Sequence, residues 1–280
     1  MTAEAVSMAI RRAAGSLPGD SARADAELLL AMALGRPRSW LYAHGDAPID
    51  SIHAKSFESL LARRQRGEPV AHILGVREFW SMELAVTADT LIPRPETELL
   101  VELALQHLPA DAPRRVLDLG TGSGAIALAV AKARPVADVT AVDLEARALQ
   151  VARKNGAKLG LERVGFLISD WFSAVRDETY DLILSNPPYI ADGDPHLAEG
   201  DLRFEPRSAL ASGPDGLRDL RLIAGQAPRH LLPGGWLMLE HGHQQGSAVR
   251  GLLFASGFID VESRRDLEGR ERVSMARKPG

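Results

Sequence analysis

Apolar residues recur at helical spacing in the first part of the chain and gather later into short runs separated by helical stretches. Ser21-Ala-Arg-Ala-Asp-Ala-Glu-Leu-Leu-Leu-Ala-Met-Ala-Leu-Gly35 is rich in helix formers, with Ser21 placed as an N-cap and Gly35 as a stop. A second helix is expected from about Ile49 to Arg66, where Ile52, Phe57, Leu60 and Leu61 supply the apolar face. The leucines and methionines of this region read as core. A small helical bundle over residues 1–75 is the economical reading. Arg77 to Val86 alternates loosely and predicts a short hairpin turning near Ser81 and Met82, within a linker over residues 76–92. Pro93-Arg-Pro95 then stops any regular element, because each proline fixes φ and disfavours helix in the residue before it.

From residue 93 to 280 a larger domain is expected, in which strand and helix alternate from Val116 on. Strands are predicted at Arg115–Asp118, Val139–Val142, Val164–Ile168, Asp181–Leu184 and Gly235–Leu239. Helices are predicted at Ala125–Ala133, Glu145–Leu159, Leu217–Leu231 and Gly246–Ala255. Two short strands, Phe258–Val261 and Arg272–Ala276, close the chain. Apolar strands alternating with helices predict an α/β domain with a mostly parallel sheet covered on both faces.

Composition narrows this picture. A chain of 280 residues, 45% hydrophobic and 25% charged, can bury a core without staples. With no cysteine, disulfides, thiolate metal sites and cysteine nucleophiles are excluded. The net charge of −4 disfavours a nucleic-acid partner, since duplex binders usually present a basic face. The start lacks the basic-then-apolar profile of a signal peptide, and apolar runs such as Ala125–Ala131 are too short to span a bilayer, so the cytoplasm is the expected address.

Leu117-Asp118-Leu119-Gly120-Thr121-Gly122-Ser123-Gly124 ends the first strand of the sheet and opens a helix. Glycines there let backbone turn tightly and approach a ligand. The G-x-G-x-G spacing differs from the dinucleotide fingerprint, and no lysine follows as a triphosphate loop requires. Asp143, about 20 residues beyond the last glycine, can accept from ribose hydroxyls. Asp170 can bond an adenine amino group, with Trp171 packing along the base or serving as core.

Asp181-Leu-Ile-Leu-Ser-Asn186-Pro187-Pro188-Tyr189 carries the chemistry. An amide or aromatic amine nitrogen is a poor nucleophile because its lone pair is delocalised. It needs a site that accepts from both its N–H groups while holding the lone pair toward a methyl donor. The Asn186 side-chain oxygen and the Pro187 carbonyl can be those acceptors, the prolines make them rigid, and Tyr189 can stack on the planar group. A glutamine-type amide and an exocyclic base amine both satisfy this description. A non-catalytic module that keeps the nucleotide fold and, more remotely, a nicotinamide oxidoreductase are the other classes. Glu240-His241-Gly242-His243 brings two histidines together without a third ligand, so no metal site is expected.

The chain resembles the PrmC/HemK protein-glutamine N5-methyltransferases, which modify the glutamine of the GGQ motif in peptide-chain release factors. The resemblance spans nearly the whole chain, through the helical amino-terminal part, Leu91–Glu98, Asp118–Gly124, Ser169–Trp171 and Asn186–Ile190. It continues through Asp194–Leu197, Arg203–Pro206, Leu239–Gly242 and Glu271–Val273, with Glu96 standing where aspartate is common. It implies a doubly wound, seven-stranded Rossmann-like class I methyltransferase sheet behind a small helical domain. It implies S-adenosylmethionine as methyl donor, leaving as S-adenosylhomocysteine, at Gly120, Thr121, Gly122, Ser123, Gly124, Asp143, Asp170, Trp171 and Asn186. Asn186, Pro187, Pro188 and Tyr189 would bind the glutamine, with Asn186, Pro187 and Tyr189 catalytic. The implied partners are class I, GGQ-containing release factors, with no membrane and no direct nucleic-acid contact. The helical bundle is expected to help dock the factor, and Asp192–Leu210 to form a loop over the target. Arg94 and Glu96 can line a substrate entrance, and Arg203 and Glu205 can order the loop as an ion pair; solvated surface positions explain these four about as well.

Overall fold

The computed structural model describes residues 4–280, so the first three residues of the expected bundle lie outside the described residues. The chain divides into two compact units, one ending at Val76 and one starting at Arg77, which takes in most of the hairpin segment.

The first unit is helical: α1 (Val6–Ala14), α2 (Ala22–Leu34), α3 (Arg38–Ala43), α4 (Ser51–Gln65) and α5 (Val70–Leu74). Ala9, Leu29, Leu30, Phe57 and Leu61 lie at its centre. Ser21 stands at the N-cap of α2, but its side chain makes no capping bond. The cap of this kind belongs to Asp50, whose Oδ1 accepts from the N–H groups of Ile52 and His53, both at 3.0 Å. Burial works to raise the Glu27 carboxyl, yet bonds from Arg38, Tyr42 and Arg23 outweigh it and hold the group below its usual range.

The second unit opens with the hairpin β1 (Val76–Phe79) and β2 (Met82–Ala85), turning at Trp80 and Ser81, both at positive φ. A helix follows where none is predicted. The prolines at 93 and 95 lead into a 3₁₀ turn at Pro95–Thr97 and then α6 (Glu98–His107). Proline disfavours a helix before it but suits a helix's first turn, so here it marks a start and not a stop.

The remaining elements alternate: β3 (Arg115–Leu119), α7 (Ala125–Ala133), β4 (Asp138–Asp143), α8 (Ala146–Lys158), β5 (Gly165–Ile168) and β6 (Tyr180–Ser185). After a long loop come α9 (Arg218–His230), β7 (Leu231–Glu240), α10 (Gly246–Ala255), β8 (Ile259–Arg265) and β9 (Glu271–Arg277). The sheet order is β5-β4-β3-β6-β7-β9-β8, with β3 to β7 parallel and β9 and β8 antiparallel. Side chains alternate across it. Val116, Leu182, Leu184 and Met238 pack with α6 and α7, while Leu117, Leu119, Ile183, Leu237 and Leu239 pack with α9 and α10. Two buried faces explain why the strands read as apolar runs.

The chain proceeds outward from β3 to β4 and β5, then returns to β6 on the other side of β3. That reversal opens a crevice at the carboxyl ends of β3 and β6, the usual ligand position in such sheets. No helix among the described residues is long and apolar enough to cross a membrane.

Candidate active site

The loop after β3 alternates glycines at positive φ: Gly120 at 71°, Gly122 at 56° and Gly124 at 86°. Its N–H groups are largely committed internally. Those of Gly120 and Thr121 both reach the Val142 carbonyl at 2.9 Å, and that of Gly122 reaches Asp143 Oδ2 at 2.8 Å. The start of α7 is occupied too, since Asp118 Oδ2 accepts from the Thr121 hydroxyl at 2.6 Å and from Ala127 N–H at 3.2 Å. A loop with its donors engaged and a carboxyl at its helix end offers little to a phosphate. It suits a ligand without one.

Gly120, Gly122, Asp143, Asp170, Trp171 and Asn186 line one cavity of about 410 Å³. Pro188, the segment Asp89–Leu91 and the loop residues Pro206, Ser208 and Ala209 complete much of its wall. Thr121, Ser123 and Gly124 stand behind this wall. Thr121 and Ser123 are buried, and a Cβ on Gly124 would come within 3.0 Å of Leu128 and 3.2 Å of Ala152. Those three positions hold the loop against α7 and α8 and do not face the cavity. The ring of Trp171 packs over Gly120 and against the α9 and α10 side of the core, so it is wall and core at once.

Asp143 accepts from Gly122 and Glu145 N–H groups, and burial still raises its carboxyl above the usual range. Each of its oxygens keeps a lone pair for ribose hydroxyls. Asp89, Asp143, Glu145, Asp170 and Asp219 face the cavity against one cation, Arg218. This surplus of carboxylates suits a ligand that carries a sulfonium and an ammonium.

Ser185 Oγ donates to the Leu119 carbonyl at 2.8 Å, clamping the end of β6 to that of β3. Asn186 follows at once and lines both the large cavity and a second one of about 50 Å³. Pro187, Tyr189, Leu91 and Arg94 line the smaller one, while Pro188 faces the larger. Asn186 Nδ2 donates to Thr97 Oγ1 at 3.2 Å, leaving Oδ1 as the other end of the amide. Among the described residues no hydrogen bond reaches Asn186 Oδ1 or the Pro187 carbonyl. Burial, then the neighbouring Glu240, raises the Tyr189 phenol far above its usual range, so it stays neutral. Its carbonyl accepts from Gln245 Nε2 at 2.9 Å.

The loop after Tyr189 is closed at its neck. Ile190 N–H reaches the Leu210 carbonyl at 2.9 Å, Ser212 N–H the Ile190 carbonyl at 2.8 Å, and Asp192 N–H the Gly213 carbonyl at 2.9 Å. Glu205 is its inner anchor, with a fully buried side chain. Its partner is not Arg203, as expected, but Arg94, and its Oε2 also accepts from Ile92 N–H at 2.9 Å. Arg203 lays its guanidinium over the Phe204 ring at 5.0 Å. Glu96 lies close enough to Tyr189 and Glu240 to bear on both.

Asn155 was no candidate in the sequence. It is buried in α8, accepts from Ala85 N–H at 2.7 Å, and donates to the Ser123 carbonyl at 2.9 Å, tying hairpin to glycine loop. Thr97 lies within the Leu91–Glu98 stretch, but its bond to Asn186, 89 positions away, could not be read there. His241 has both ring nitrogens engaged, by the Gly242 carbonyl and by Ser274 Oγ. No group of three or more potential metal ligands lies among the described residues.

Two family models match the chain: the methyltransferase small domain over residues 97–202 and the PrmC N-terminal domain over residues 8–75. A release factor glutamine methyltransferase of Xylella fastidiosa is 55% identical over 258 residues, covering 92% of this chain and 94% of that protein. Its counterpart in Escherichia coli is 48% identical over 258 residues, covering 92% and 93%. A methyltransferase structure from Pyrococcus furiosus superposes with a TM-score of 0.56 over 80% of this chain and all of that one; at 18% identity it speaks for the fold alone.

Proposed function

The chain belongs to the release factor glutamine methyltransferase family, and from that premise we propose that it methylates the side-chain N5 of the GGQ glutamine in class I release factors. The observation that carries the reading is Asn186, an amide shared by the two cavities, with its oxygen free and its nitrogen anchored.

S-adenosylmethionine is the donor, supplying an electrophilic methyl carbon on a sulfonium. The carboxylate-rich cavity fits it: Asp143 for the ribose hydroxyls, Asp170 for the adenine amine, Trp171 and the bare Gly120–Gly122 backbone for the flat surfaces. Thr121, Ser123 and Gly124 serve by shaping that backbone. Asn186 Oδ1 and the Pro187 carbonyl accept the two N–H groups of the target amide, which turns its plane and aims the nitrogen lone pair at the donor side. Tyr189 bears on the amide from the smaller cavity. With the donor bound, the nitrogen–carbon bond would form as the sulfur–carbon bond breaks, S-adenosylhomocysteine would leave, and the surplus proton on nitrogen would pass to solvent water. Fixed acceptors that favour developing positive charge on that nitrogen supply the catalysis, so no strong base is needed.

In this reading the loop over residues 192–210 covers the target glutamine, and the amino-terminal bundle helps to dock the release factor. Release factors act in translation, so the cytoplasm is the compartment that goes with this reading. A nucleic-acid substrate is the second reading, and the acidic net charge of −4 tells against it.

Mass spectrometry of release factors incubated with enzyme and S-adenosylmethionine tests the assignment. A single added methyl on the GGQ glutamine is expected. Labelling that persists on a GGA variant, or that appears only on DNA or RNA, would move the target elsewhere.

A further inference from the structure

Two stretches of backbone that wall the larger cavity come from distant parts of the second unit. One is the glycine loop after β3, and the other is Asp89–Leu91, which follows the hairpin. A single side chain reaches both lines of backbone. Asn155, in α8, is 1% exposed and lines neither cavity. Its Oδ1 accepts from Ala85 N–H at 2.7 Å, while its Nδ2 donates to the Ala85 carbonyl at 3.0 Å and to the Ser123 carbonyl at 2.9 Å.

That pattern needs an amide. Both Nδ2 hydrogens meet carbonyls and Oδ1 meets an N–H, so turning the group over would oppose like with like at every contact. An aspartate of the same size would set a second acceptor against the two carbonyls, and a leucine would bond to nothing.

The packing on either side of Asn155 makes the tie stiff. Ala152 lies one turn before it on α8, and a Cβ on Gly124 would come within 3.2 Å of Ala152, so the helix is already pressed against the glycine loop. From Ala85 to the cavity the path is short. Val86 and Thr90 are buried, and Thr90 N–H closes a turn onto the Thr87 carbonyl at 3.1 Å. A displacement of Ala85 is therefore carried on to Asp89–Leu91. Lys158, one turn further along α8, repeats the link to the hairpin at the surface, with its Nζ 2.6 Å from Glu83 Oε1.

We propose that Asn155 is a positioning residue for the methyl donor, whose one amide holds the glycine loop and the segment leading to Asp89–Leu91 at a fixed separation and so sets the width of the donor cavity without touching the donor. The inference rests on the reading of the larger cavity as the donor's, and adds a residue outside its wall on which donor affinity depends.

Asn155→Asp and Asn155→Leu should each raise the Kd for S-adenosylhomocysteine, and the KM for S-adenosylmethionine, by about tenfold or more. At saturating donor, kcat and the KM for a release factor should stay within about threefold of wild type. Leu253→Ala, a buried change in α10 on the other face of the sheet, should lose stability in denaturant and keep the wild-type donor Kd. Wild-type donor affinity in both Asn155 variants, or an equal loss of affinity in Leu253→Ala, would overturn the proposal. The wild type supplies a readout that needs no variant to fold. The sequence contains two asparagines, Asn155 and Asn186, so asparagine-selective ¹⁵N labelling reports on both side-chain amides. Saturation with S-adenosylhomocysteine should move the Asn186 pair, which lines the cavity, and also the Asn155 pair, which does not. An Asn155 pair that stays still while Asn186 responds would sink the role argued for it. A wild type that binds S-adenosylhomocysteine without moving Asn186 would instead defeat the reading of the cavity, and the role of Asn155 with it.

Discussion

The donor side and the acceptor side of the site are assembled in different ways. Much of the donor wall comes from one stretch of chain, where Gly120, Gly122, Asp143, Asp170 and Trp171 follow consecutive strands and find their hydrogen-bond partners within that stretch. The acceptor side depends on remote partners: Asn186 on Thr97, 89 positions away, Ile92 on Glu205, 113 away, and Gln245 on Tyr189, 56 away. Local assembly makes a site that any sheet of this topology can carry. Remote assembly ties the acceptor geometry to the completed fold, so damage there should strike turnover before donor binding.

The sharpest way to break that contrast is Asn186→Ala. Turnover should drop by about 10³-fold, with donor affinity by calorimetry close to wild type. A parallel loss of donor affinity would merge the two sides into one. Next in size is Glu205→Ala, which leaves Arg94 and the Ile92 N–H without their buried partner. It should cost about 2–3 kcal/mol in denaturant unfolding and lower kcat/KM for the release factor by more than tenfold. Gly124→Ala probes the other side. Its φ of 86° and the 3.0 Å approach to Leu128 should cost about 1–3 kcal/mol and weaken the donor, leaving release-factor affinity intact.

The smallest effect concerns pH. Burial raises the Asp118 carboxyl to about 7, against bonds from Thr121 and Ala127, with Asp143 adding to the rise. A carboxyl raised in the folded state binds more protons there than in the unfolded chain, so its contribution to stability is full at low pH and fades as pH climbs through neutrality. Unfolding of the donor-free protein between pH 5 and 8, as an order-of-magnitude window, should therefore show a downward slope that Asp118→Asn makes shallower. An unchanged slope would mean that Asp118 keeps its ordinary behaviour.

The same contrast explains what could be read in the sequence. Strand and helix positions of the larger unit follow from apolar runs, and the helix at Ala125–Ala133 and that at Gly246–Ala255 match residue for residue. The glycine loop and Asn186–Tyr189 are contiguous strings, so their types and spacing carry their chemistry. α6 was hidden because two prolines precede it and suggest an ending. Glu205 lies among polar loop residues and looks solvated, yet folding takes its side chain entirely out of water. Thr97 is ordinary in isolation, and only the folded chain brings its hydroxyl to Asn186, 89 positions on. Ser21 was an N-cap by type alone, and residue type does not guarantee that a side chain turns back to its helix.

The neck that joins Ile190 to Leu210 and Ser212 is a backbone seam, and it makes the enclosed segment an interchangeable cassette. Three short 3₁₀ turns fill it without adding a strand to the sheet. Residues 191–204 can diverge while the seam, the Glu205 anchor and the cavity-lining Pro206, Ser208 and Ala209 persist, so that part of the segment is free to change without rebuilding the donor wall.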